Sequence, residues 1–480
     1  MHKTVVIDVV ALTKGFIRQD MPFLREWTSA GNEAGPTGRN ATTANAGAKE
    51  SAYAEIRYIE PVLPAVTTSA QTTYVTGKAP SEHGIVGNGW YDRTDSEIKF
   101  WKQSNKLVQG EKIWEKARKL NPGFTCSKMF WWYNMYSSAD YSLTPRPQYR
   151  ADGRKMPDVY GHPAALRDRL QQELGQFPLF NFWGPNTNIR SSRWIADASM
   201  RTDALYDPTL TLIYLPHMDY NPQRHGPDHE SVAGDLREID TVLKDLITYY
   251  EGKGARVMLL SEYGISPVRQ SISLNRLLRN EGLLQVRVEN GLELLDPGAS
   301  QAFVVADHQI AHVYVNDPSC LGQVRGLLEN QPGIEFLLDE EGKQRQGIGH
   351  ERAGDLVAVA AEGYWFDYYY WLDDKKAPDF ARIVDIHRKP GYDPVEMFTD
   401  PNIRFLMPRV AWKLLRKKLG FRMLMDVIPL DASLIKGSHG RVNVPDEEKP
   451  VLITRRAPAL PPGNCPATQV FDVIWEHLTG

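Results

Sequence analysis

The stretch 61-PVLPAVTTSAQTTYVTGKAPSEHGIVGNGW-90 sets a hydroxyl, a glycine-closed helical run and a side-chain amide around one point. Thr67, Thr68 and Ser69 open the helical run, Gly77 closes it, and Asn88 follows in the turn-like VGNGW. A hydroxyl at a helix N-terminus lies where bare backbone N–H groups and the positive end of the helix dipole favour an anion. Threonine is also an ordinary N-cap, and a capping position exposes the hydroxyl to those same N–H groups. Asn88 suits a turn with left-handed backbone. It could equally donate a hydrogen bond to a phosphoryl oxygen. Phosphate chemistry is the first reading.

Working outward, β-rich apolar runs alternate with helical patterns. VVIDVV (5–10), FTCSKMF (124–130), TLTLIYL (209–215) and RVMLLSEYG (256–264) read as buried strands of a mostly parallel sheet. Residues 112–119, 230–252 and 273–280 read as helices, the second carrying Leu236, Ile239, Val242, Leu243 and Leu246 at helical spacing. The alternation predicts an α/β sandwich. In such sheets, sites gather outside the carboxyl ends of the strands. Asp8, Asp219 and Glu262 fall there, far apart in sequence.

Composition bounds the rest. A chain of 480 residues with a formal net charge of −3 gives no electrostatic footprint for duplex nucleic acid. The cysteines, Cys126, Cys320 and Cys465, form neither a disulfide framework nor a zinc pattern. Any metal therefore rests on histidines and carboxylates. No run of roughly 18 apolar residues predicts a transmembrane segment. The N-terminus lacks a signal-peptide core, so a cytoplasmic protein is expected. Residues 26–52, small, polar and Gly-rich, read as a surface loop. Residues 90–190 are rich in aromatics, and 404–419 (RFLMPRVAWKLLRKKL) have a basic amphipathic helical pattern. That pattern fits a solvated face better than a peripheral membrane contact.

Candidate ligands follow. Asp8 interrupts a hydrophobic strand, and a buried carboxylate is costly unless paired or metal-bound. His217, Asp219, His225 and His229 cluster after a strand, a pattern suited to zinc or manganese. His308 follows Asp307 just before a strand on which His312 reads as a core residue, and His439 lies in 437-GSHGR-441, between glycines.

These pieces, in this order, resemble the alkaline phosphatase superfamily, in its nucleotide pyrophosphatase/phosphodiesterase branch. The resemblance implies an alkaline-phosphatase-like α/β/α sandwich with a mostly parallel central sheet and inserted cap elements. It implies one catalytic domain over 1–480, with an aromatic-rich insert around 90–190 and a variable insert around 365–430. PAVTTSAQTTYVTGKAPSEHGIVGN resembles the block that holds the nucleophile and the phosphate-binding asparagine, which makes Thr67 the nucleophile and Asn88 the amide. The first acid falls on Asp8, YLPHMD gives Asp219, and GSHG gives His439. Two positions depart from the pattern. The ligand histidine four residues after Asp219 is Gln223, so His225 is expected to serve, with His217 the alternative. The Ser-Asp-His-Gly motif is 261-SEYG-264, so Glu262 supplies a carboxylate, Tyr263 a weak ligand, and His308 is the candidate replacement.

The implied chemistry uses two divalent ions, zinc first and manganese as the alternative. One is expected on Asp219, His225 and His439, the other on Asp8, Thr67 and Glu262 with His308. Two such ions clamp the attacking and leaving oxygens of an in-line displacement. Thr67 would form a covalent phospho-threonine during cleavage of a phosphodiester or pyrophosphate. The expected substrate is small and phosphorylated, nucleotide-like or apolar-tailed, with Phe130-Trp131 near the pocket. The competing readings are a phosphomonoesterase and a catalytically weak relative that binds a phosphorylated metabolite.

Overall fold

The computed structural model describes residues 1–28, 51–151, 154–456 and 459–480. The loop expected over 26–52 lies almost wholly outside the described residues. Among the described residues, nine strands form the central sheet. They are β1 (Thr4–Val9), β2 (Glu55–Glu60), β3 (Cys126–Met129), β4 (Tyr141–Pro145), β5 (Val159–His162), β6 (Leu210–Leu215), β7 (Arg256–Leu260), β8 (Val451–Thr454) and β9 (Cys465–Pro466). Their order across the sheet is β9-β2-β8-β7-β1-β6-β3-β4-β5. All four strands read from sequence, β1, β3, β6 and β7, are adjacent and mutually parallel. Antiparallel β8 and β5 lie to either side of this parallel centre.

The centre is parallel because both of its faces are covered. Val5, Ile7 and Val9 of β1 point into one core with Leu236, Ile239, Val242 and Leu243. Those leucines, valine and isoleucine belong to a helix, Val232–Gly252, that the periodicity predicted within two residues. Val6, on the other face, packs with Ala70, Tyr74 and Val75 of the helix Thr67–Thr76 and with Val470 and Ile474 of Val470–Thr479. Side chains alternate along a strand, so Asp8 shares the face of Val6 and points at helix Thr67–Thr76. That helix stops at Gly77, whose φ of 68° is the left-handed cap conformation glycine adopts without strain.

A second, antiparallel sheet of four strands stands beside the first, in the order Ala302–Asp307, Ile310–Val315, Leu356–Ala360, Ile334–Leu338. Its leading hairpin carries Asp307 and His308 toward the main sheet's carboxyl edge. His312 is buried in that hairpin, its Nε2 2.9 Å from the Val86 carbonyl, as expected of a core residue. The basic amphipathic pattern forms a helix, Leu406–Lys418, that has no buried residue. Cys126, Cys320 and Cys465 are free and buried. Among the described residues no helix is long and apolar enough to cross a membrane.

Candidate active site

Thr67 is the first residue of its helix and is buried. Its Oγ1 lies 3.0 Å from Glu262 Oε2 and 3.3 Å from the Tyr263 hydroxyl. The next amide, Thr68 N–H, donates to Asn88 Oδ1 at 3.2 Å. Asn88 is locked in turn, since its backbone N–H and its side-chain amide both donate to Asp307, at 2.8 and 3.0 Å. An amide NH₂ has two donors, so one N–H of Asn88 is left for a ligand beside the helix N-terminus.

Three acids meet here from three strand ends. Asp8 sits on β1, Glu262 two residues past β7, and Asp219 four past β6. Gln71 organises the first two. Its carbonyl accepts the Trp132 N–H at 2.7 Å, which fixes the amide's orientation. Its NH₂ donates to Asp8 Oδ2 at 3.0 Å and to Glu262 Oε1 at 2.6 Å. The other Asp8 oxygen, Oδ1, is buried without a hydrogen-bond partner among the described residues. Burial raises both carboxyls, and the Asp8 charge raises Glu262 further. A buried acid pair of this kind holds a proton or demands a cation. Asp219 is pushed by burial from 3.8 to about 6 and accepts the Tyr263 hydroxyl at 3.1 Å.

Tyr263 stacks flat on His439, ring centroids 3.4 Å apart. Nδ1 of His439 lies 2.9 Å from the Ala65 carbonyl. That acceptor puts the proton on Nδ1 and leaves Nε2 free to ligate, and Nε2 is buried with no hydrogen-bond partner among the described residues. Gly437 permits the close approach, because a Cβ there would fall 2.2 Å from the Pro222 carbonyl oxygen. His308, at a φ of 61°, lies 2.7 Å from Asp307 through Nδ1, and its ring sits 3.8 Å from His439 and 3.5 Å from Tyr392. Burial lowers the pKa of both histidines, keeping them neutral.

Asp8, Thr67, Asn88, Asp219, Glu262, His308 and His439 are thus gathered in one place. His225 is not. It is exposed on the last turn of the short helix Tyr220–His225, its ring 4.8 Å from that of His229. Helical phase turns Gln223 inward instead, where its carbonyl accepts the Tyr392 hydroxyl at 2.9 Å. His217 also faces elsewhere, with Nε2 3.1 Å from Glu238 and 3.7 Å from Asp235. Phe130 packs in the core against Phe177, and Trp131 is buried in the opposite core. From the aromatic-rich stretch 90–136, the rings that line the cavity beside Thr67 are Trp132 and Trp101, 4.9 Å apart.

These two rings begin the wall of a cavity of about 750 Å³ that runs from Thr67, Asp219 and His308 outward to Leu406 and Leu414. Sequence reasoning missed Gln71 and Tyr392. Gln71 carried a signal, since an amide buried one helical turn after a nucleophile faces whatever the hydroxyl faces.

One type I phosphodiesterase/nucleotide pyrophosphatase family model matches residues 4–393. The chain belongs to that family. The type I phosphodiesterases are metal-dependent phosphoester hydrolases. An uncharacterized pyrophosphatase/phosphodiesterase of Schizosaccharomyces pombe is 26% identical over 233 residues, 46% of this chain. The match spans 40% of the length of that curated relative. Phosphonoacetate hydrolase from Sinorhizobium meliloti 1021, in complex with phosphonoformate, superposes with a TM-score of 0.59 at 13% identity, over 100% of this chain and 96% of that one. An inactive murine ectonucleotide pyrophosphatase/phosphodiesterase 5, in complex with AMP, does so with a TM-score of 0.55 at 13% identity, over 100% and 95%.

The metal chemistry of type I phosphodiesterases can be tested on the donor set. Asp8, Glu262 and Thr67 are three oxygen donors, and the orphaned Asp8 Oδ1 lies among them. They fit one hard divalent cation. Asp219 and His439 retain the acid and one imidazole of the other set, with Gln223 where its second histidine is expected. Tyr263 stands where the Asp8 set is expected to have its nitrogen donor, and His308, the expected replacement, bonds Asp307 and lies against His439 instead. Among the described residues, the one group of three imidazole or carboxylate ligand atoms drawn within 4.8 Å is His217, Asp235 and Glu238, away from Thr67.

Proposed function

We propose that this chain hydrolyses a phosphodiester or pyrophosphate bond, with Thr67 as nucleophile. The observation that carries the reading is the convergence of Asp8, Asp219, Glu262 and His439 from separate strands around one buried threonine hydroxyl at a helix N-terminus. A cation held by Asp8, Glu262 and Thr67 would supply the positive charge that makes the hydroxyl a nucleophile near neutral pH. The chain's own groups do the rest. The free N–H groups of the helix Thr67–Thr76 and the Asn88 amide receive the phosphoryl oxygens. Asp307 orients that amide through two hydrogen bonds. The hydrogen bond from Thr67 to Glu262 sets the direction in which its proton leaves. Oγ1 forms a bond to phosphorus as the bond to the leaving oxygen breaks, and that oxygen takes a proton. Water then cleaves the phospho-threonine and restores the hydroxyl. The aromatic 90–190 segment and the 365–430 segment act as caps over the leaving-group side.

A second reading has one observation in its favour. Gln71 and Tyr263 satisfy carboxylate oxygens that cations hold in the two-ion pattern, as in a relative that binds a phosphorylated metabolite without turning it over. Turnover of bis(p-nitrophenyl) phosphate with added Mn²⁺ or Zn²⁺ separates the two. The hydrolase reading expects metal-stimulated release of nitrophenol that Thr67→Ala lowers by about 10³-fold or more. Phosphate binding with no turnover under any metal would leave the second reading standing.

A further inference from the structure

Between Arg404 and Arg422 the sequence holds seven Lys or Arg residues and no acid, in a chain whose formal net charge is −3. Asp426 neutralises part of this by pairing with Arg409 and Lys413. The same short segment concentrates exposed apolar surface. Eight of the eighteen large hydrophobic side chains exposed among the described residues fall within 405–424. Around helix Leu406–Lys418 the apolar side chains divide between the cavity side and the outer side. Leu406, Val410 and Leu414 line the cavity that reaches Thr67. Trp412, Leu415 and Leu419, at the i, i+3, i+7 spacing of one helical face, point away and are 60%, 47% and 65% exposed.

Isolated exposed hydrophobics need no explanation, but a contiguous apolar stripe flanked by cations does. Water satisfies the cations and leaves the stripe costly. An anionic bilayer surface satisfies both, because a basic helix lies in the interface with its apolar face at the acyl boundary. The cavity argues for the same occupant. Its wall runs without interruption from the phosphoryl site to the inner side of this helix, and Tyr149 and Phe180, which also line it, are exposed as well. A helix seated on a bilayer would open that passage toward the membrane.

We propose that the segment 404–424 docks on an anionic lipid surface, and that the cavity admits a phosphoester whose apolar tail is anchored there. The tail assignment rests on the hydrolase reading above; the docking does not. The test is co-sedimentation of the full chain with vesicles of phosphatidylcholine alone or with roughly one-third phosphatidylglycerol. The expected result is at least about tenfold more bound protein on the anionic vesicles, abolished by high salt. Trp412→Ser with Leu415→Ser and Leu419→Ser should reduce that binding about tenfold, as should Arg404→Glu with Arg416→Glu and Lys418→Glu. Both variants should keep turnover of the soluble bis(p-nitrophenyl) phosphate, since none of these residues lines the cavity. Equal binding to both vesicles, no binding to either, or a dimer in sedimentation velocity that the serine variant dissociates, would overturn the proposal. Vesicle binding without hydrolysis of any phosphodiester would sink the hydrolase reading and leave the docking intact.

Discussion

Gln71 and Tyr263 place hydrogen-bond donors where the proposed hydrolase would hold cations. Each puts an O–H or N–H donor against a carboxylate that a cation would otherwise neutralise. Placing imidazoles at Gln223 and Tyr263, where the resemblance expects nitrogen ligands, should strengthen cation binding even with Gln71 unchanged. Gln223→His with Tyr263→His is expected to raise bound zinc from about one ion or fewer toward two per chain, read by elemental analysis after dialysis; unchanged zinc content would refute the assignment. Asp219 gives a second test, on stability. Its folded carboxyl is raised from 3.8 to about 6, so folding favours its protonated form. That contribution is complete below about pH 4 and is lost as pH rises through about 6. In metal-free protein at pH 8 the buried charge costs up to about 3 kcal/mol. Asp219→Asn should therefore raise the melting temperature at pH 8 and leave it unchanged at pH 4. At this scale Asp8, Asp219 and Glu262 were legible as acids at strand ends, whereas Thr67, Asn88 and His439 took their expected roles from the resemblance to the family's motif blocks. His225 misled because its distance from Asp219 along the chain hid its phase on a short helix, where Gln223 turns inward.

Elements hold these side chains in register, and one of them depends on a buried charge cluster. Lys389 Nζ lies 2.7 Å from both Asp393 and Glu396, and all three are fully or nearly fully buried. The turn they close presents Tyr392, whose backbone N–H donates to the Ala306 carbonyl and whose ring stacks on His308. Removing the cation would strand two carboxylates in a low-dielectric interior. Lys389→Met should destabilise the fold by about 3–5 kcal/mol, measured by urea unfolding. A triple replacement of Lys389, Asp393 and Glu396 by apolar residues should recover much of that loss. Periodicity located the four parallel strands and the helix Val232–Gly252 because a strand buried on both faces and a long amphipathic helix leave strong patterns. It could not locate the 385–398 turn, which has no period and is fixed by charges that meet only in three dimensions. The antiparallel strands near the C-terminus were silent for the same reason, being short and defined by pairing partners hundreds of residues away.

Across the whole molecule, one cavity joins the candidate catalytic centre to the exposed helix Leu406–Lys418, of which Leu406 and Val410 touch the core as half-buried side chains. Asp8, Glu262 and the strands that hold them lie in fully buried cores, whereas Leu406–Lys418 contributes no buried residue. Global stability follows buried apolar area, so replacing 405–424 with a short Gly/Ser linker should shift the melting temperature by no more than about 3 °C. The same replacement removes the outer wall formed by Leu406, Val410 and Leu414. Apolar contacts made by a remote tail raise kcat/KM only if they are present. A series of phosphodiesters with lengthening alkyl tails should therefore show kcat/KM rising with tail length in the intact chain and levelling off early in the linker variant, while the shortest substrate is cleaved equally by both. A parallel rise in the two proteins would show that the tail binds elsewhere. A large loss of melting temperature would show that the helix belongs to the core after all.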